Sequence, residues 1–175
     1  MNKKGFTLVE LLVVVAILGV LAAVGIVSFG GFLGNAKENA AKTNHANAVS
    51  FLRSQIMKCS LGEQLKFKIS QNPIEFTWSN DKCSQIISKN LVGLASDIKG
   101  HFDAERWKNP YNTSSSAVTI CYPQNYNGNE TIGEICIFDG ATQGANALCN
   151  STSICIFTRV SDSEKLLGVV DLNDL

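Results

Sequence analysis

Residues 3–36 read KKGFTLVELLVVVAILGVLAAVGIVSFGGFLGNA: two lysines and a glycine, then an apolar ramp interrupted by a single carboxylate, Glu10. From Leu11 to Ala36 no side chain is charged, a run of 26 residues. As helix, such a run reaches roughly 39 Å at ~1.5 Å per residue, more than the ~30 Å of a bilayer's hydrocarbon. The segment can therefore span a membrane. Lys3 and Lys4 precede it and no charge follows until Lys37. Basic residues tend to stay on the cytoplasmic side, which leaves Asn35 onward on the exported side.

The 175-residue chain carries 15 basic and 15 acidic residues, a formal net charge of zero. That balance gives no reason to expect a polyanion partner, and no specific nucleic acid is expected. All six cysteines, Cys59, Cys83, Cys121, Cys136, Cys149 and Cys155, fall in the exported part. An even number there favours disulfides. No C-x-x-C pair occurs and the two histidines, His45 and His101, are isolated, so no metal is expected. Neither histidine has a local cysteine or serine partner, and no catalytic residue, cofactor or enzymatic activity is read from the sequence.

Beyond the ramp, Ala41, Ala48, Leu52, Ile56 and Cys59 recur at helical spacing among Lys37, Glu38, Lys42, Arg53 and Lys58. The pattern predicts one helix from Phe6 to Leu61, apolar all round in its first half and amphipathic in its second, with Gly62 as its cap. Asp81 or Ser84 opens a second helix, whose apolar positions Ile87, Leu91, Leu94 and Ile98 lead to Gly100. After the turn-rich WKNPYNTSSS at 107–116 the period changes from 3.6 to 2. Strands are expected at 117–122, 134–138, 153–160 and 165–172. The fold class is α+β, a long N-terminal helix packed on a C-terminal antiparallel sheet. The organisation expected is a leader at 1–5, a membrane and polymerisation helix at 6–36, and a globular head at 37–175.

An ordinary secretory signal or signal anchor explains the basic start and the apolar run. It does not explain Glu10, because a carboxylate out of water needs a cationic partner or a proton. Cleavage between Gly5 and Phe6 would create one cation, an α-amino group with an unperturbed pKa of ~7.7–8.0. The helix keeps that amine from its own Glu10 but not from the Glu10 of a neighbouring copy displaced along a common axis.

With those features in place, KKGFTLVELLVVVAILGVLAA resembles the leader and start of a type IV prepilin, closely over residues 3–24 and in architecture beyond them. The resemblance implies a type IV pilin fold, cleavage after Gly5 by a prepilin peptidase, N-methylation of Phe6, and an assembly role for Glu10; Thr7 also fits the pattern. The partners it implies are other copies of the chain in a helical filament, the peptidase, an inner-membrane assembly platform and the membrane itself. The location implied is the bacterial inner membrane before assembly and the extracellular pilus after it. Where such pilins commonly carry a proline, this chain has Val27, and Gly25, Gly30, Gly31 and Gly34 surround it. Each costs a helix ~1 kcal/mol relative to alanine, about 4 kcal/mol together, so this is the weak part of the helix. Two other readings stand beside the pilus subunit: a pseudopilin of a secretion or competence system, and a membrane-anchored periplasmic binding domain or enzyme that never polymerises.

The remaining motifs are read plainly. Asn112, Asn129 and Asn150 head N-x-[ST] sequons in loops, and Asp171, Asn173 and Asp174 form a solvated tail. Cys121 and Cys136 fall on adjacent strands of an expected hairpin, Cys149 and Cys155 close a short loop, and Cys59 is left with Cys83. Mass spectrometry of the mature protein is expected to find a chain starting at N-methylated Phe6; an intact Met1, or cleavage near Ala23 or Gly25, contradicts this.

Overall fold

The structure, a computed structural model, describes residues 5–70, 76–121, 131–140 and 149–174. Lys3, Lys4, Tyr122, Tyr126 and the sequon at Asn129 lie outside them. The chain divides into two compact units, Met1–Ala36 and Lys37–Leu175, and helix α1 (Leu8–Ser60) contributes to both.

In the first unit α1 is helical throughout, including Gly25, Gly30, Gly31 and Gly34. Beyond the adjoining residues and the helix's own backbone, nothing lies within 4 Å of where a Cβ would stand on any of the four, so packing within this chain does not require their small size. The helix is long and apolar enough to cross a membrane.

In the second unit α1 buries one stripe, Ala41, His45, Ala48, Leu52, Ile56 and Cys59. The expected stripe is there, with His45 added to it. The helix ends in a Schellman motif: Gly62 is left-handed (φ 79°), its N–H bonds to the Cys59 carbonyl and the Glu63 N–H to that of Lys58.

Strands β3 (Val118–Ile120), β4 (Ile135–Asp139), β5 (Ser153–Arg159) and β6 (Lys165–Asp171) form one sheet in that order, and the stripe shares a core with one face of that sheet. Side chains alternate across it as the pleat requires. Ile135, Ile137, Ile154, Ile156 and Val170 join the α1 core, while Cys136, Phe138, Cys155 and Phe157 form a smaller cluster on the other face. On that other face the Phe138 and Phe157 rings stack 5.3 Å apart.

The α+β architecture is the one expected, but one pairing differs. β4–β5 and β5–β6 are antiparallel, whereas β3 and β4 run parallel, with Val118 opposite Ile135. The expected hairpin between Cys121 and Cys136 is therefore absent. A parallel pair needs a crossover of about a dozen residues or more, and residues 121–134 are enough for one.

The second helix is also divided, into α2 (Cys83–Ile87) and α3 (Leu94–Ala104). Lys89 takes a left-handed conformation (φ 55°) and Gly93 another (φ 77°), and the break shifts the expected rhythm: Leu91, Leu94 and Ile98 are buried, but in α2 Ile86 is buried in place of Ile87, which is exposed. The N-cap of α2 is Lys82, without a side-chain cap bond, rather than Asp81 or Ser84; Asp81, one residue earlier, accepts at Oδ1 from the N–H groups of Cys83 and Leu65. Those backbone donors, Cys83 first, hold its carboxyl below the usual range.

A short hairpin that periodicity did not reveal, β1 (Lys68–Ser70) with β2 (Phe76–Trp78), lies beside α3. Gly100 permits the approach, since a Cβ there would meet Ile69 Cγ2 at 3.0 Å.

Four contacts fix α1 to the sheet. His45 Nδ1 lies 3.0 Å from Thr158 Oγ1, and Arg53 donates to the Val169 carbonyl at 3.3 Å. Lys42 pairs with Glu164 at 2.8 Å. Gly168 leaves room for Val49, which a Cβ there would overlap.

Burial pushes the His45 pKa below its ordinary value. The folded state therefore takes up its proton at lower pH than the unfolded chain, and the associated stability, complete above pH ~6.5, is lost as pH falls through the folded value. Urea unfolding is expected to show a lower midpoint at pH 5.5 than at pH 7, and His45→Gln to make that fall shallower. His101, also pushed down chiefly by burial, accounts for part of what remains.

Candidate functional site

Gly5, Phe6 and Thr7 precede α1 and are exposed, so the Gly5–Phe6 peptide bond lies outside helical structure. Thr7 donates both its backbone N–H (2.9 Å) and its hydroxyl (2.6 Å) to Glu10 Oε2, and the Glu10 N–H donates back to Thr7 Oγ1 at 3.3 Å. This reciprocal pair is a capping box, T-x-x-E, with Thr7 as N-cap and Glu10 three residues on. It satisfies two orphan N–H groups of the helix start and places the carboxylate where the helix dipole favours negative charge. Glu10 Oε1 takes no hydrogen bond among the described residues. Thr7 is the residue to which periodicity assigns nothing. Its signal is the T-x-x-E spacing just ahead of an apolar run.

Behind the capped turn the helix is bare. Eighteen large apolar side chains from Phe6 to Leu33 are exposed, Val14 the least of them at 46%. At ~1.5–3 kcal/mol for burying each, removing them from water contributes on the order of 30 kcal/mol. That far exceeds the ~4 kcal/mol lost to four glycines in a helix. The segment therefore needs apolar surroundings, whether lipid or other protein, and its one carboxylate sits at the edge of the run with half of its oxygens already bonded.

The six cysteines form three disulfides. Cys59–Cys83 joins the end of α1 to the start of α2, with Cα atoms 5.2 Å apart. Cys121–Cys136 (5.6 Å) and Cys149–Cys155 (6.1 Å) belong to the cluster on the sheet face away from α1. The Cys121–Cys136 bond crosses a parallel pair rather than a hairpin: Thr119 stands opposite Cys136, and Cys121, two residues further on, reaches it diagonally.

The acidic tail is a tie rather than an open ligand set. Asp171 Oδ1 accepts from the Thr152 hydroxyl and from both the backbone and side-chain N–H groups of Asn173, and Oδ2 accepts from Asn150 Nδ2. The Asn173 backbone N–H is the chief cause that lowers its pKa. Among the described residues no group of three or more His, Cys, Asp or Glu side chains could hold a metal.

Loop 107–116 does more than link. Asn109, buried, accepts from the Tyr111 N–H and donates to the Ile132 carbonyl, and the Tyr111 hydroxyl donates to the Val160 carbonyl. Trp107 packs on Phe102 at 4.5 Å. Both aromatics thus pack or bond within the head.

Residues 1–26 match the family described as the Prokaryotic N-terminal methylation motif. The chain is similar to the Type IV major pilin protein PilA of Myxococcus xanthus (strain DK1622), 54% identical over 43 residues, which is 25% of this chain and 20% of that protein. It is also similar to a Fimbrial protein of Dichelobacter nodosus, 30% identical over 109 residues, 59% of this chain and 58% of that one. The chain thus spans about a fifth and somewhat over half of the length of these two curated relatives. No solved structure matches it significantly. The matched residues 1–26 open a long helix that is followed by an antiparallel-rich sheet, and both relatives are named as pilin or fimbrial proteins.

Thr7→Ala removes the N-cap oxygen and one donor to Glu10. It is expected to cost the helix start about 0.5–2 kcal/mol, read as faster amide hydrogen exchange at residues 8–11 with exchange at 48–56 unchanged.

Proposed function

We propose that this protein is a structural subunit of a type IV pilus, cut after Gly5 by a prepilin peptidase, methylated on Phe6, and assembled through α1 into a filament of its own copies. The observation that carries the reading is the capped, singly charged N-terminal turn ahead of a bare apolar helix, in a segment that matches the methylation motif. Before assembly the membrane shields the apolar half-helix; after it, the same half-helices of neighbouring copies do. An inner-membrane platform transfers the subunit from one to the other.

Glu10 links the two states. In the single chain one carboxylate oxygen caps the helix, which leaves Oε1 for the methylated amine of Phe6 on an adjacent copy. A charge-assisted N–H···O contact of this kind is roughly twice as strong as a neutral one, and more so away from water. The glycines at 25, 30, 31 and 34 have a role on the same reading. In lipid every backbone amide must be bonded within the helix, whereas a filament offers other partners. The ~4 kcal/mol weakness lets this stretch extend there, from 1.5 Å towards ~3.3 Å per residue.

Glu10→Ala is the test. Subunit level and membrane association are expected to stay as in the parent, while electron microscopy finds at least tenfold fewer filaments. Filaments at parental number, with Glu10→Ala subunits in them, contradict the proposal.

A further inference from the structure

The second unit carries a cleft that the filament reading does not use. Its volume is about 540 Å³, within the usual range for a small-ligand site. One wall is a single face of α1, with Phe51, Gln55 and Lys58 at i, i+4 and i+7; opposite stand Gln64, Lys66 and Trp78 of β2, with His101 of α3 between them.

Three features set the chemistry of a ligand. Trp78 is 64% exposed, a large flat apolar surface with no role in the core. Lys58 and Lys66 both line the cleft; among the described residues neither makes an ion pair and no carboxylate lines it, the Asp81 carboxyl being bonded to the backbone N–H groups of Cys83 and Leu65, which with Lys66 hold it below its ordinary pKa. Gln55 and Gln64 each offer a donor and an acceptor head. The floor is ordered: the His101 ring stacks on Phe51 at 4.7 Å, and its Nδ1 accepts the Lys68 N–H at 3.1 Å, which leaves Nε2 to donate.

We infer that the cleft binds a sugar acid, a pyranose ring laid on Trp78 with its hydroxyls on the two glutamines and its carboxylate held by Lys58 and Lys66. An apolar ring face, several hydroxyls and one localised negative charge match the three features one for one. A nucleic-acid strand matches less well. Its repeating phosphates need a continuous basic track, but the next lysine, Lys68, is already paired with Glu105 at 3.0 Å, and the chain has no net positive charge. The inference concerns the head alone and does not depend on filament assembly.

Titration calorimetry of the full chain in detergent micelles tests it, with trigalacturonate and polygalacturonate as probes, maltotriose as the uncharged control and oligo(dT) as the other polyanion. The expected result is saturable binding of trigalacturonate, at least about tenfold weaker binding of maltotriose, and at least about tenfold loss in both Trp78→Ala and Lys58→Gln/Lys66→Gln. Because these side chains lie on the surface, both variants should keep the parental circular dichroism and all three disulfides. Binding of polygalacturonate as well places the recognised unit within a chain; binding of trigalacturonate alone places it in free oligosaccharides or at chain ends. Either supports the inference. No saturable binding of either galacturonate, binding unchanged in both variants, or oligo(dT) binding more tightly than trigalacturonate overturns it.

Discussion

A carboxylate at the edge of a long uncharged helix must find donors or a cation before it can leave water, and Glu10 finds donors within its own turn. Both Thr7 donors converge on one of its oxygens. Much else follows from that economy. Two of the orphan amides at the helix start, those of Thr7 and Glu10, are satisfied within the turn itself, and the rest of the apolar half carries no charge. On the proposed pilus reading, the chain would present the same surface to lipid and to other copies of itself without rearranging its first turn.

The second half of α1 answers a different constraint. Here one stripe is buried and the remainder is mainly polar, with Lys37, Glu38, Lys42, Arg53 and Lys58 its charged residues, and the sheet is shaped to receive the helix: Gly168 makes way for Val49, and the His45 ring meets the Thr158 hydroxyl in the interior. Disulfides work at the margins. Cys59–Cys83 holds the far end of the helix, and the other two fasten the sheet face that α1 does not cover. In the chain-entropy model each contributes a few kcal/mol, most for the longest loop, so they supplement the core beneath α1.

The long helix and its two characters were legible because periodicity over many residues averages out local exceptions. Four strands were legible as short apolar runs bounded by turn residues, although alternation did not mark them all: β4 is buried at every position and β5 at all but its last. Strand direction was not: adjacency of Cys121 and Cys136 is compatible with either orientation, and nothing local in residues 121–134 distinguishes a hairpin from a crossover. The division between α2 and α3 was hidden because Lys89, not a glycine, adopts the left-handed turn that ends α2. The hairpin β1–β2 was hidden because strands of three residues are too short for alternation to register. At the candidate site Glu10 stood out as an anomaly of charge, while Thr7 did not, since a threonine is unremarkable until its spacing to a glutamate is tested as a cap.

The account stands most directly on where the Glu10 carboxylate goes in a filament. A reconstruction at side-chain resolution should place the methylated amine of Phe6 of one copy about 3 Å from Glu10 Oε1 of its neighbour, with Oε2 still on Thr7 of its own chain. A filament in which that amine lies beyond hydrogen-bonding reach of every Glu10, with the carboxylate turned to solvent, would contradict it.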